Sequence, residues 1–185
     1  MAGRFAASSA GVVIADALVR ARAEGTSRIG EDHLFAALLA NPDSGLLLGR
    51  LGGPDEAEAV RAEIRGARRR GGLTAGEEQA LAGLGINLDE VVARVEARLG
   101  AGALDSASAP ARRSRRVSIS PEGVAILNAA QRQKAARGDR QTTARHLLLG
   151  LLAQPGLLAD ALAARGITLA GVLQALDAGQ REAGR

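Results

Sequence analysis

Glu31-Asp32-His33-Leu34-Phe35-Ala36-Ala37-Leu38-Leu39-Ala40-Asn41-Pro42 is answered further along the chain by Ala144-Arg145-His146-Leu147-Leu148-Leu149-Gly150-Leu151-Leu152-Ala153-Gln154-Pro155. His146 follows His33 by 113 residues, and Pro155 follows Pro42 by the same 113. The shift also pairs Val13 with Ile126, Ala17 with Ala130 and Gly25 with Gly138. A constant offset points to one structural unit used twice. Further on, Gly85-Ile86-Asn87-Leu88 is matched by Gly166-Ile167-Thr168-Leu169 at a shift of 81. The first copy then carries about thirty residues that the second lacks, placed as a surface insertion at about 53–76.

The pattern around these phrases is helical. Ser8 or Ser9 caps a helix that runs to about Glu24 and ends at Gly25. Thr26 to Gly30 is a loop with Ile29 turned inward, and a second helix runs from Glu31 to the stop at Asn41-Pro42. A short apolar helix is expected over Ser44–Leu51, and an exposed, charge-laced helix over 55–70. Thr74 and Glu77 have the capping-box spacing, so a helix to about Leu84 follows, then another over Leu88–Leu99. In the second copy Ser120 caps and Pro121 sits in the first turn of a helix to about Arg137. Helices near 142–153, 156–164 and 168–178 complete the chain, with a fraying tail. The expectation is an all-α fold of two pseudo-symmetric helical repeats. The first spans 1–100 with its helical insertion, a basic linker 101–116 follows, and the second spans 117–185.

Composition narrows the chemistry. Phe5 and Phe35 are the only aromatics, so the core must come from Leu, Val, Ile and Ala, which favours close-packed helices. With no cysteine there is no disulfide and no thiolate chemistry, in keeping with a cytoplasmic setting. No apolar run reaches the roughly 20 residues of a membrane span. No Gly-x-x-x-x-Gly-Lys-Ser/Thr phosphate loop occurs, so ATP hydrolysis is not expected. No activated nucleophile, metal-ligand cluster or cofactor motif is seen either, and the chain reads as a non-enzyme.

The order of elements and the His-Leu phrase resemble the N-terminal repeat domain of Clp-family AAA+ unfoldases, the ClpC branch above all. The resemblance covers roughly residues 5–52, 77–100 and 117–178. Gly30-Glu31-Asp32-His33-Leu34 follows the family's Gly-Thr-Glu-His phrase more closely than Thr143-Ala144-Arg145-His146-Leu147 does. It implies a stand-alone domain without the ATPase modules. Such a domain would bind peptides or proteins as an adaptor, regulator or decoy in Clp-dependent proteolysis. Its implied partners are a ClpC-type unfoldase, that unfoldase's clients or adaptors, cyclic peptide antibiotics and, weakly, phosphoarginine-bearing peptides.

Each candidate residue has two readings. His33 and His146 are either a metal or acid–base pair or, as preferred here, helix-start histidines bonded to the preceding loop. Glu31 and Asp32 are neighbours on a helix and so point about 100° apart; they complement the helix dipole or bind a ligand. The resemblance makes Asp32 the acid that meets a phosphoarginine guanidinium, and puts the cation Arg145 at that place in the second copy. Phe5 and Ile119 either staple the entry of their helices or, by the resemblance, form the docking floor for cyclic peptides and partners. The arginine runs at 68–70 and 112–116 are either solvated charge or phosphate contacts. The latter would make the chain a nucleic-acid-associated regulator, the less favoured alternative because stacking aromatics are missing.

Overall fold

A computed structural model describes residues 8–42, 49, 52–69, 73, 75–100 and 117–183, with the side chains of 68, 69, 75 and 179–183 excepted. Among the described residues the protein is all-α but for two two-residue strands, in line with a composition that favours close-packed helices. In chain order the described helices are α1 (Ser9–Ala23), α2 (Glu31–Ala40), α3 (Pro54–Arg69), α4 (Ala75–Gly83), α5 (Leu88–Leu99), α6 (Pro121–Arg137), α7 (Ala144–Leu152), α8 (Leu157–Ala163) and α9 (Leu169–Ala183). The expected helix over 44–51, residue 49 excepted, the linker 101–116 and Phe5 lie outside the described residues.

The helix signals act where the sequence places them. Ser8 Oγ accepts the Gly11 N–H at the start of α1, and Ser120 Oγ accepts the Gly123 N–H at the start of α6. Gly25 and Gly138 close these helices with the same φ of +70°, a left-handed turn that costs glycine little. Two differences from expectation are local. Residues 28–29 (β1, Arg28–Ile29) and 118–119 (β2, Ser118–Ile119) are not plain loop but pair in parallel, with Ser120 N–H donating to Ile29 O at 2.9 Å. And α9 runs on to Ala183 instead of ending near 178.

The two halves share one core. α1 packs on α2 and α6 on α7, while α7 also touches α1, α2 and α9. Val13, Phe35, Leu38, Ile126, Leu147 and Leu149 are all sealed from solvent inside one cluster. Ile29 is buried, as its inward turn requires. α6 and α7 approach closely because Gly150 has no side chain. A Cβ there would stand 2.6 Å from Ile126 O and 2.7 Å from Ala130 N.

The segment expected as an exposed insertion is part of this core. On α3 the residues Ala57, Val60, Ile64 and Ala67 are buried, at spacings of three and four that make one helical face. That face packs against α8 and α2. Arg165, at the end of α8, holds it from outside through Glu56 at 2.6 Å and Glu63 at 3.0 Å. The charges that suggested exposure occupy only the other face. Conversely, the Gly-Ile-x-Leu phrase is not equally placed in its two occurrences: Ile167 is 1% exposed and Ile86 41%. A shift of 112 instead aligns buried Val60 and Ile64 with buried Val172 and Leu176. It is the hairpin α4–α5, not α3, that lies apart from the core.

Gly150→Ala should therefore destabilise the protein by about 1–3 kcal/mol, the usual cost of forcing atoms into a filled space. Urea denaturation of the two proteins measures this. An unchanged midpoint would mean that α6 and α7 can separate without loss.

Candidate functional site

Two helix starts carry most of the polar candidates. α2 opens after Gly30, whose N–H donates to His33 Nδ1 at 3.0 Å. α7 opens after Thr143, whose N–H donates to His146 Nδ1 at the same 3.0 Å. Each histidine is the third residue of its helix and reaches back to an otherwise unpaired donor, the role glutamate or glutamine plays in a capping box. Each ring is buried, and each Nε2 meets an acid from the preceding loop. His33 Nε2 lies 3.1 Å from Glu24 Oε2, and His146 Nε2 lies 2.9 Å from Asp139 Oδ2. With Nδ1 accepting, Nε2 carries the proton and donates to the carboxylate. Both rings are thus engaged with their preceding loops, the reading preferred from sequence.

Glu24, Asp32 and His33 each place one potential ligand atom within 4.8 Å of the others, a spacing that could surround a metal ion. Both nitrogens of His33 are already committed, one to Gly30 N–H and one to Glu24. A metal would have to displace one of these bonds, so the cluster is better suited to hydrogen bonding than to ligation.

The surroundings of the two rings differ in sign. Burial lowers the pKa of His33, but Asp32, whose Oδ1 is 3.2 Å from Nδ1, and Glu24 outweigh it, and the net shift is upward. At His146 burial again lowers the pKa. Asp139 opposes it, Arg137 and Lys134 reinforce it, and the net shift is downward.

Of the sequence candidates, Glu31 and Asp32 are not brought together. Asp32 faces His33, whereas Glu31 directs Oε2 toward Gly156 at the start of α8. Ile119 pairs with Ile29, and its Cγ2 crowds the place where a Gly123 side chain would begin, so its contacts are those of a packing residue at the helix entry. Arg145 is exposed and lines an open cavity of about 520 Å³ beside His146. The runs 68–70 and 112–116 and Phe5 fall outside the described side chains.

Sequence reasoning missed three things here. It did not see the acids on Nε2, although Glu24 and Asp139 flank the glycines that end α1 and α6. It did not see that Arg137 and Arg140 join Arg145 at the cavity, although the charged loop Arg137-Gly138-Asp139-Arg140 was the available signal. It also missed the apolar exposure of α4–α5, where Leu84 is 77% exposed and Leu99 75%, and where no described residue of α5 is buried.

The opposite shifts predict opposite pH responses. A histidine whose pKa is lowered on folding stabilises the fold above its unfolded value near 6.5 and loses that contribution as pH falls. One whose pKa is raised gains on acidification, fully so below the unfolded value, and loses the gain as pH rises through the folded value. Glutamine retains the backward hydrogen bond of a capping box. Between about pH 7.5 and about pH 5.5, the range in which histidine titrates, the melting temperature of His146→Gln should fall less than that of the parent. That of His33→Gln should fall more. Parallel curves for all three proteins would show that neither ring titrates differently on folding. Neither protein-family models nor curated proteins give a match to this chain.

Proposed function

We propose that the chain is a non-catalytic binding module for peptides or proteins, of the Clp N-domain kind, acting as an adaptor, regulator or decoy in Clp-dependent proteolysis. The observation that carries this reading is the uncovered apolar surface of the α4–α5 hairpin. Leu84, Ile86, Val91 and Leu99 are between 41% and 77% exposed, although α5 has a valid cap in Asn87, whose Oδ1 accepts the Asp89 and Glu90 N–H groups. A pair of capped helices that leaves its large aliphatic residues in water is a surface for another protein. The like-built helix starts at His33 and His146 support the resemblance on which the Clp part of the reading depends. Both histidines are engaged as capping groups, which leaves them poorly placed for acid–base work.

The test is a titration of the whole chain with a ClpC-type unfoldase, a cyclic peptide antibiotic and an arginine-phosphorylated peptide. Saturable binding of the unfoldase is expected. It should weaken roughly tenfold or more in the double variant Leu84→Asp, Val91→Asp, because a charge at an apolar contact must be desolvated. Phosphoarginine binding should be weak and be removed by Asp32→Ala. No binding of any of the three, or unfoldase binding indifferent to the hairpin substitutions, overturns the proposal.

A further inference from the structure

The cavity at the start of α7 is independent of the hairpin and has a chemistry of its own. Three arginines line it, Arg137, Arg140 and Arg145, against one acidic residue, Asp139. Asp139 is engaged with His146 Nε2 at 2.9 Å. Arg137 is steadied by Asp177 at 3.4 Å. Among the described residues Arg140 and Arg145 have no ion-pair partner, and both are exposed. Beneath the charges Leu176, 8% exposed, reaches the cavity wall, with the sealed Leu149 behind it. The space, about 520 Å³, falls within the range of small-ligand pockets and exceeds what a bare oxyanion fills.

We infer that this cavity binds the oxyanion of a peptide side chain, a carboxylate or a phosphate ester, with Arg140 and Arg145 on the anion and Leu176 against the aliphatic stem. Guanidinium groups are suited to this because their forked N–H donors match both oxyanions in pairs. A concave site with an apolar wall receives one projecting group. A single-stranded nucleic acid needs instead a continuous basic track with aromatics on which its bases stack, and the chain has no Trp or Tyr. The inference stands apart from the unfoldase reading, since it rests on other residues and another ligand chemistry.

Isothermal titration of the full chain tests it with four probes: a capped glutamate-containing peptide, the same peptide with glutamine, the same with phosphoserine, and a single-stranded oligonucleotide. The glutamate and phosphoserine peptides should bind saturably and more weakly as salt rises, and the glutamine peptide should not bind. The stronger of the two names the natural oxyanion. Arg140→Ala and Arg145→Ala should each lower affinity roughly tenfold or more, the worth of a hydrogen bond to a charged group. Arg132→Ala, exposed on the same helix as Arg137 but away from the cavity, should leave it unchanged. All these side chains are exposed at the surface, so near-ultraviolet-independent folding checks such as melting temperature should match the parent. Equal binding of the glutamine peptide, an equal loss in Arg132→Ala, or tighter binding of the oligonucleotide through Arg140 and Arg145 overturns the inference.

Discussion

The close contact of α6 with α7 at Gly150 sets the position of most other elements. With backbone atoms of Ile126 and Ala130 where a side chain would start, the two helices meet nearly backbone to backbone. α7 is thereby drawn deep enough for Leu147 and Leu149 to reach the cluster that also holds Val13, Phe35 and Leu38. Its first N–H, that of Ala144, is taken by Ser9 Oγ on α1 at 3.0 Å, and the short β1–β2 pairing joins the halves at a second place. A chain with almost no aromatics has few large side chains to fill gaps. It gains core density by bringing backbones close, which alanine and glycine permit.

How far the sequence was legible follows from which signals are local. The His-Leu phrase encodes a helix start, a backward hydrogen bond and an apolar body within a dozen residues, and the same geometry appears at both occurrences. Gly85 and Gly166 encode a helix stop equally well. Their φ angles are +80° and +73°, and the following isoleucine N–H bonds back to Leu81 O and Leu162 O at 3.0 and 2.9 Å. Yet Ile86 is left in water and Ile167 is sealed. A capping phrase fixes the turn and says nothing about what the next helix packs on. α3 shows the converse. Its many charges suggested a solvated helix, but burial depends on whether one face is apolar, and Ala57, Val60, Ile64 and Ala67 supply that face. The candidate site was legible only at Arg145 and the two histidines. Arg137 and Arg140 come from a neighbouring helix end and loop, and only the tertiary fold brings them to the same cavity.

The two histidines show how one local arrangement can be given opposite electrostatics. Backbone geometry is common to both: a donor at the cap, an accepting Nδ1 and an acid on Nε2. What differs is the charge around it. Asp32 follows the cap by two positions at α2, and Arg145 holds that place at α7. Arg137 and Lys134 add positive charge on the α7 side, while Glu24 and Asp32 surround His33. The inversion is made outside the packed core, since Asp32 is half-buried and Arg145 exposed.

That inversion bears on what each surface can recognise. The α2 start holds its acids close to a histidine ring, so a cationic group arriving there must compete with an internal partner. At the α7 start the acid is drawn to His146, and two arginines at the cavity have no internal acid among the described residues. An incoming anion therefore faces less competition at α7 than an incoming cation faces at α2. The free energy of such a contact depends on what the protein gives up to make it. Selectivity at α7 should consequently come from the oxyanion and its stem together. The arginines attract any anion, and Leu176 favours those that also bring an aliphatic chain to its exposed edge.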